Sequence, residues 1–356
     1  MMTSIIAFII VLGVLIFFHE LGHFLVAKLF GVGVEIFSLG FGPRIFGKKV
    51  DRTDYRLSAI PLGGYVKMVG EEPDEVLPEE DIPFSFNHKH VLKRALIVAA
   101  GPFFNLVLAI LIFFTIFQIY GLPIIKPVVG KVEDGGPAFK AGIKKGDFIV
   151  SLDDLPVNTW DDMAKLISKS NGKSLKFTLK REGELKSISV TPEVISTKNL
   201  FNETVNRYVV KITSSGDSIT KDLNIIEAFI ESIKQAYNIS ELTLISIVKL
   251  VQGIIPSKTI GGPIFIAQMA GEQAKVGIAN LAFFIALISI NLAILNFLPI
   301  PVLDGGHIFF FLIEAVIRKP VNLKVREIAQ QVGMVLLFLL MVYAFYNDIT
   351  RTFSTQ

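Results

Sequence analysis

Apolar residues in this chain fall into four long runs separated by polar and glycine-rich segments. The runs cover residues 4–30, 95–117, 281–298 and, with its flanks, 328–349. About 20 apolar residues allow a helix to cross the ~30 Å hydrocarbon core of a bilayer. The pattern therefore predicts a polytopic α-helical membrane protein with about four transmembrane helices. A shorter run, residues 308–316, is predicted to continue the third helix after a break at Pro299 and Pro301.

Residues 33–70 show a different pattern, in which short alternating runs are interrupted by glycine and proline. Alternation of apolar and polar positions is typical of β-strands, and glycines at this density indicate hairpins. The acidic stretch 71–81 is predicted to be a solvated loop. Residues 84–94 are predicted to be a short segment at the membrane surface, with lysine and arginine at the level of the lipid headgroups.

A mixed polar region follows the second apolar run. Its turn signals separate predicted strands at 128–132, 148–152, 174–180 and 185–191. A helix is predicted over residues 160–170, with Thr159 as its N-cap. The region is therefore predicted to be a compact α/β domain at 126–194. Residues 225–255 combine apolar positions at near-helical spacing with charges, which favours amphipathic helices lying against the membrane or the outer domain.

The order of these segments divides the chain into four predicted parts. Two parts carry pairs of transmembrane helices, and the two between them lie outside the membrane. The parts are the first two transmembrane helices with the strand region at 1–125, the inserted domain at 126–194, an outer-face linker with amphipathic helices at 195–280, and the last two transmembrane helices at 281–356.

Lysine and arginine predict the orientation in the membrane. Ten of them lie between residues 28 and 94, and four lie at 318–326, before the fourth run. Short connections rich in these residues tend to stay on the cytoplasmic side. Both termini and the long region 121–280 are then expected on the outer side, and the first helix ends near the cytoplasm.

Composition narrows the chemistry. The 356 residues are 51% hydrophobic and 19% charged, and their net charge of +3 gives no basis for binding nucleic acid. Cysteine is absent, which excludes disulfides and thiolate metal sites. Any zinc would have to be held by carboxylates and by some of the five histidines.

Residues 19–23, with the sequence HELGH, lie at the end of an apolar run, where charge is costly. On a helix, residues i and i+4 share a face, so His19 and His23 can bind one zinc ion. Glu20 lies beside them as the candidate general base. This combination predicts a metalloprotease whose active site lies within the bilayer.

Asp304 is the candidate third ligand, because catalytic zinc takes three protein ligands and a water molecule. It follows the third apolar run at the depth expected for the two histidines, where an unpaired carboxylate would be costly. Asp304 could instead cap the following helix, since aspartate before Gly-Gly is common in turns. His307 is the alternative ligand, although a structural position near the site is favoured for it.

Two other functions compete with proteolysis. A membrane scaffold with a structural zinc needs no base at Glu20, and its zinc normally has all four positions closed by protein. A metal transporter predicts more ionisable residues along the helices, whereas residues 95–117 have none. Proteolysis is therefore the favoured prediction.

Three motifs in this order resemble the site-2 protease family. They are HELGH at 19–23, a glycine and an asparagine four positions apart at Gly101 and Asn105, and NFLPIPVLDGG at 296–306. The glycine-rich stretch at 135–149 of the inserted domain is similar to that of bacterial protease PDZ domains. The resemblance is to the RseP-like branch, in a form with a single PDZ domain instead of the two found in enteric bacteria.

The resemblance assigns the chemistry to four residues. It implies that His19, His23 and Asp304 bind Zn²⁺ and that Glu20 is the catalytic base of a hydrolase acting on peptide bonds. Asn105 is expected to pack between helices near this site.

The resemblance also implies how substrate is held. Asn291 and Asn296 would help to hold the substrate or the oxyanion. The strands of residues 33–70 would be a membrane-reentrant β-element, to whose edge a substrate strand could add. The PDZ-like domain would either filter substrates by size or bind newly made peptide C-termini.

The implied function is zinc-dependent intramembrane cleavage of single-span membrane proteins in regulated intramembrane proteolysis. The first candidate substrate is an anti-sigma factor already trimmed by another protease, and remnant signal peptides are the second. The implied location is the bacterial cytoplasmic (inner) membrane. The active site would lie near the cytoplasmic side, and the PDZ-like domain and both termini on the periplasmic side.

Overall fold

The computed structural model describes residues 2–72 and 76–354, except for the side chains of Pro61, Leu62 and Ser354. The chain forms two compact units. The helical unit comprises residues 1–116, 229–248 and 256–356, and the α/β unit comprises residues 117–228 and 249–255. The predicted loop at 71–81 falls partly outside the described residues.

Helices account for most of the helical unit. Four helices in the described part of the chain, α1, α2, α7 and α9, are long and apolar enough to cross a membrane, which confirms the predicted number. The helix bounds are α1 Met2–Leu29, α2 Val91–Tyr120, α3 Pro137–Lys140, α4 Trp160–Lys169, α5 Ile225–Val251, α6 Pro263–Val276, α7 Ile278–Phe297, α8 Asp304–Ile317 and α9 Leu323–Ser354.

Strands occur in both units. The first two belong to the helical unit and the other ten to the α/β unit. The strand bounds are β1 Val34–Val50, β2 Thr53–Met68, β3 Leu122–Ile125, β4 Val129–Val132, β5 Phe148–Leu152, β6 Leu155–Pro156, β7 Leu175–Arg181, β8 Glu184–Val190, β9 Glu193–Lys198, β10 Thr204–Val209, β11 Ile212–Ser214 and β12 Ser218–Lys221.

Helix α1 is the centre of the helical unit. It shares an apolar cluster with α2, α6 and α7, formed by Ala7, Val11, Leu15, Leu108, Ala270, Phe284 and Ile285. Near its other end, Gly22 lies so close to α2 that an added β-carbon would be 2.3 Å from the Ala100 carbonyl oxygen. Small residues allow this close approach between helices. As a result, α2 lies directly against the turn of α1 that carries the two histidines.

Strands β1 and β2 form the sheet predicted for residues 33–70. Residues 36–39 of β1 pair with residues 54–57 and also with residues 64–67 of β2, so the long strands fold back on each other. Gly40 adopts a φ of 95° in this bend, a conformation that residues with a β-carbon rarely adopt. Within the described residues, the segment 64–68 pairs only with β1, which leaves its other side as a free edge.

The surface segment predicted for residues 84–94 differs from the structure. Glu79–Phe84 is a 3₁₀ helix, and residues 91–94 already belong to the first turn of α2. Arg94 is buried in that turn, forms an ion pair with Glu314 of α8 and lies over the Phe311 ring. Because these partners come from α8, the sequence around Arg94 gave no sign that the helix begins here.

The α/β unit is built around a four-stranded antiparallel sheet with the strand order β6-β5-β7-β8. Its core contains Ile149, Phe177 and Leu179 of the sheet and Met163 and Ile167 of α4, all of them buried. The amphipathic spacing of α4 buries one face of this helix against the sheet.

Helix α4 begins as predicted at Thr159. The Thr159 hydroxyl accepts a hydrogen bond from the Asp162 N–H at 3.0 Å, and the Asp162 carboxylate accepts one from the Thr159 N–H at 3.1 Å. This reciprocal capping box satisfies two N–H groups that would otherwise lack a partner at the start of the helix.

The α/β unit extends beyond the predicted domain at 126–194. Strands β10 to β12 and most of β9 occupy a stretch that was expected to be linker. Strand β11 pairs with β4 inside the predicted domain, and β12 pairs with β3, which precedes it. Strands β11 and β12 have only three and four residues, and none of these is fully buried, so their alternation is weak. Their partners lie about 80 to 100 residues earlier, which local sequence patterns do not reveal.

An ion pair in the α/β unit joins buried Asp147 to the partly exposed Arg181. Asp147 is 1% exposed, and its carboxylate accepts hydrogen bonds from Arg181 Nε and from a terminal Arg181 nitrogen, each at 2.7 Å. The Lys144 N–H donates a further bond at 2.8 Å. Hydrogen bonding to Asp147 raises the pKa of the Arg181 guanidinium above its usual value. The carboxylate thus has a cationic partner from the protein itself.

Candidate active site

Two histidines of α1 face the same point in the helical unit. His19 and His23 are one turn apart, and their Nε2 atoms are 3.3 Å from each other. Their rings are nearly perpendicular, with centroids 4.9 Å apart. The helix predicted for residues 4–30 therefore produces the expected shared face.

Asp304 reaches this point because α7 is interrupted. Helix α7 ends at Phe297, and α8 begins at Asp304, which confirms the predicted break at the prolines. The link folds tightly against α8: a β-carbon at Gly305 would be 2.2 Å from the Leu298 carbonyl oxygen. The N-cap of α8 is Leu303, which makes no side-chain cap hydrogen bond, and the Asp304 carboxylate is directed at the histidines.

The three side chains form a compact donor set. Asp304 Oδ2 is 3.2 Å from His19 Nε2, and Asp304 Oδ1 is 3.6 Å from His23 Nε2. One donor atom from each residue lies within 4.8 Å of the others. Bonds of ~2.0 Å in a tetrahedron place neighbouring ligand atoms about 3.3 Å apart. The observed separations therefore fit a single zinc ion.

Helix α2 holds both imidazoles from behind. His23 Nδ1 is 3.0 Å from the Ile97 carbonyl oxygen, so Nδ1 carries the proton and Nε2 is free to bind metal. His19 Nδ1 is 3.3 Å from the Asn105 amide nitrogen, and the buried Asn105 Oδ1 has no hydrogen-bond partner. A half-turn of this amide places Oδ1 as the acceptor for His19 Nδ1–H. Both histidines then present Nε2 to the metal position.

Gly101 leaves the space that the imidazoles occupy. A β-carbon at this position would be 2.3 Å from His23 Nε2 and 3.0 Å from His19 Cε1. Gly101 and Asn105 are four residues apart and so share the face of α2 that meets the histidines. Gly101 therefore leaves room for the imidazoles, and Asn105 lies within hydrogen-bond distance of His19. This agrees with the packing position near the site that was expected for Asn105.

The donor set lies in a cavity of about 260 Å³. Glu20 and the edge segment of β2 line this cavity, with Gly64 close enough that an added β-carbon would be 3.1 Å from Glu20 Cγ. The absence of a side chain at Gly64 thus lets the strand edge run beside the candidate base. Further side chains in the lining are Tyr65, Val66, Met68, Glu71, His307 and Arg326.

Three other predicted positions lie outside the donor set. His307 lines the cavity, in agreement with a position near the site, but is not among the three clustered residues. Asn291 and Asn296 are on α7 and do not line the cavity. The Asn291 side-chain oxygen accepts a hydrogen bond from the Thr243 hydroxyl of α5 at 2.8 Å.

Sequence reasoning missed two charged residues of the cavity, Glu71 and Arg326. Glu71 follows β2 and accepts a hydrogen bond from the Met68 N–H at 3.1 Å. Arg326 lies in the first turn of α9 and was counted only as a cytoplasmic charge. The sequence did contain one indication that Arg326 lines the site: it is an arginine at the start of a membrane helix whose first turn has no acidic residue to pair with it.

The sequence is similar to those of known proteins over almost its whole length. The model of peptidase family M50 matches residues 7–340. A protein of Mesorhizobium japonicum named as a candidate zinc metalloprotease is 36% identical over 97% of this chain and 98% of its own length. Relatives with the same kind of name from Campylobacter jejuni and Rickettsia conorii are 38% and 37% identical, over 97% and 99% of this chain and 93% and 100% of their own lengths.

The comparison with solved structures is weaker. A PDZ domain of an SdrC-like protein from Listeria monocytogenes covers 24% of this chain and 84% of its own chain. Its identity of 17% and TM-score of 0.20 are too low to assign a fold. The family match and the relatives instead agree with the donor set on α1 and α8. The chain belongs to peptidase family M50, and it is a site-2-type zinc metalloprotease.

Proposed function

We propose that this protein is an intramembrane endopeptidase that cleaves single-span membrane proteins after they add as a strand to β2. The observation that carries the proposal is the free edge of residues 64–68, which lines the same cavity as Glu20 and the His19–His23–Asp304 donor set. A strand edge can hold an extended peptide through its backbone N–H and C=O groups, and the Met68 N–H would exchange its bond to Glu71 for one to the substrate.

An extended substrate solves a chemical problem. In a transmembrane helix the peptide carbonyl is engaged in the helical hydrogen bond and is shielded from attack. Pairing with residues 64–68 would hold the peptide bond open next to Glu20. Holding the peptide bond beside the catalytic group in this way makes a bimolecular step effectively unimolecular, which lowers the entropic part of the barrier.

The chain's own residues would carry the proton transfers. Zinc held by His19, His23 and Asp304 would supply a Lewis acid and a bound water with a pKa near 7. Glu20 would accept a proton from the attacking water on a carboxylate oxygen and deliver it to the nitrogen of the leaving amine. The products are a new carboxylate and a new amine.

Substrate class and location are part of the proposal. A trimmed anti-sigma factor, in regulated intramembrane proteolysis, is the first substrate class, and remnant signal peptides are the second. Asn291 and Asn296, polar positions on an apolar helix, would help to hold the substrate. The basic short connections support an inner-membrane orientation with the active site near the cytoplasm, and the exposed apolar Phe41, Ile45 and Phe46 support entry of the β1–β2 sheet into the membrane.

The α/β unit would act as a PDZ-like module on the periplasmic side. A groove of about 300 Å³ lies between α4 and the β10–β11 stretch, lined by Trp160, Met163, Ile167, Tyr208 and other residues. A groove between a helix and a strand edge suits a peptide C-terminus. A size filter is the alternative use of this unit.

The test is cleavage of a tagged single-span reporter in membranes by the full chain and two variants. Glu20→Gln is expected to abolish cleavage while zinc content stays at one per chain. Glu272→Gln, which removes an exposed carboxylate on α6, is the matched control and is expected to cleave at the wild-type rate. Continued cleavage by a zinc-loaded Glu20→Gln protein would contradict the proposed function.

A further inference from the structure

Arg326 is a charged residue that the proposed chemistry does not use. It lies in the first turn of α9, is half-buried, and lines the catalytic cavity. Within residues 2–72 and 76–354 its side chain makes no ion pair or hydrogen bond, whereas Arg94 nearby is paired with Glu314. Charged groups that are partly removed from water are normally paired. Arg326 therefore has capacity for an anionic ligand.

A second cavity continues from the catalytic one. It has a volume of about 770 Å³ and shares two lining residues, Asn87 and Arg326, with the catalytic cavity. Its other charged lining residues are Arg94, Lys324 and Glu314. Three basic groups against one acidic group make this cavity favourable to anions, and Arg326 stands where the two cavities meet.

The catalytic cavity has the opposite character. Glu20, Glu71 and Asp304 contribute three carboxyl groups to its lining, and Arg326 is its only arginine or lysine among the described residues. Hydrolysis adds one water across the peptide bond and leaves a new carboxylate within this acidic lining. The carboxylates of the lining repel it, and apart from a bound zinc ion the one fixed positive charge in the described lining is Arg326, whose planar guanidinium can bind both carboxylate oxygens.

We propose that Arg326 binds the newly formed C-terminal carboxylate of the cleaved substrate and guides it from the catalytic cavity into the basic second cavity. This inference rests on the proposed endopeptidase function and adds a product-binding residue to it. The position of the second cavity beside residues 320–324, in the connection predicted to be cytoplasmic, makes it the exit for the product that carries the carboxylate.

The test compares two peptides that differ only at the C-terminus. The cut site in the reporter is first located by mass spectrometry. The N-terminal product is then synthesised with a free carboxylate and, separately, with a carboxamide, each carrying a fluorophore. Binding to the full-length Glu20→Gln protein in lipid nanodiscs is measured by fluorescence anisotropy. Each measurement is made with zinc bound and again after chelation, so that direct binding of the carboxylate to zinc is separated from binding to Arg326.

The carboxylate peptide is expected to bind about tenfold more tightly than the carboxamide in the chelated protein, a difference of ~1.4 kcal/mol. Arg326→Gln is expected to reduce this preference to less than about threefold. The control Lys319→Gln, which removes an exposed cation that lines neither cavity, is expected to keep it. Arg326→Lys keeps the charge without the planar fork and is expected to give an intermediate preference, which decides the case if the glutamine variant does not fold.

The proposal is overturned if Arg326→Gln keeps the full preference, or if Lys319→Gln loses as much. It is also overturned if Arg326→Gln changes only the affinity for anionic lipid in the nanodisc, which would assign the residue to a headgroup. The product site and the endopeptidase function can be refuted separately. A wild-type protein that cleaves the reporter, with no effect of Arg326 on peptide binding, refutes only the product site; absence of any cleavage refutes the endopeptidase function and this inference with it.

Discussion

Two carboxylates, buried Asp147 in the α/β unit and half-buried Asp304 in the helical unit, have different kinds of partner. Asp147 in the α/β unit is paired with Arg181 and accepts a backbone N–H as well. Asp304 in the helical unit lies against two imidazole nitrogens, and no lysine or arginine of the described chain lies within ion-pair distance of it. The charge and hydrogen bonds of the Asp147 carboxylate are therefore satisfied by the protein itself, without a bound ligand. The Asp304 carboxylate converges with two nitrogen donors at distances that suit a metal, which makes it the candidate metal ligand of the two.

The two carboxylates also differ in how far along the sequence their partners lie. Asp147 and Arg181 are 34 residues apart, in neighbouring parts of one small sheet. Asp304 meets residues near the start of the chain through helix packing alone. The Asp147–Arg181 pair depends on contacts within the α/β unit alone. The donor set instead depends on the packing of α1 and α8 against each other and against α2.

The largest effect is expected for Asp304→Asn. Loss of the carboxylate removes a proposed zinc ligand, whereas loss of an outer partner of a ligand already costs ~10–100-fold in metal affinity. Zinc affinity, measured by competition with a chelator, is therefore expected to fall by more than ~100-fold, and reporter cleavage to reach background. Asp147→Asn is the control and is expected to retain one zinc per chain. Equal zinc loss in the two variants would erase the distinction between the carboxylates.

The next effect is expected for Asp147→Asn in the α/β unit. Removing the carboxylate charge weakens the hydrogen bonds from Arg181 and from the Lys144 N–H, and because the Arg181 side chain is partly exposed to water the cost is expected to be about 1–3 kcal/mol. Hydrogen exchange of the full chain should show faster exchange in β5 and β7 and unchanged exchange in α1 and α2. Asp154→Asn, which removes an exposed pair with Lys176, is expected to change stability by less than about 0.5 kcal/mol. Exchange that rises across both units would argue against a separate structural role.

A smaller effect is expected for Gly101→Ala. The added methyl group would lie 2.3 Å from His23 Nε2, so the imidazole or α2 must move. Overpacking of this kind costs about 1–3 kcal/mol. Zinc affinity is expected to fall while the protein stays folded by circular dichroism. Gly13→Ala is the matched control, since nothing lies within 4 Å of a β-carbon there. A Gly101→Ala protein with wild-type zinc affinity would show that the imidazoles are not confined by α2.

The sequence predicted the parts of the molecule that local patterns encode. Hydrophobic runs indicated the four long helices, and the capping signal placed the start of α4 at Thr159. The spacing of His19 and His23 predicted their shared face. Asp304 was identified because a carboxylate next to an apolar run is costly unless it has a partner.

Features that depend on distant contacts were not predictable in the same way. Strands β11 and β12 pair with β4 and β3 across about 80 to 100 residues, and a short exposed strand has little alternation of its own. Arg94 and Arg326 looked like ordinary cytoplasmic charges, since only the packing of α8 and α9 brings them into the protein. The hydrogen bond between Asn291 and Thr243 depends on α5, whose position an amphipathic pattern does not specify.

Zinc-edge X-ray absorption of the purified full-length protein tests the central claim most directly. The account predicts one zinc per chain with only nitrogen and oxygen ligands at ~2.0–2.2 Å. Two of the ligands should be imidazoles, and the imidazole signal per zinc should drop by half in His23→Ala protein that is loaded with zinc at a concentration high enough to offset its weaker binding. A spectrum without imidazole scattering, or one unchanged by His23→Ala and Asp304→Asn, would contradict the assignment of these residues as the metal site.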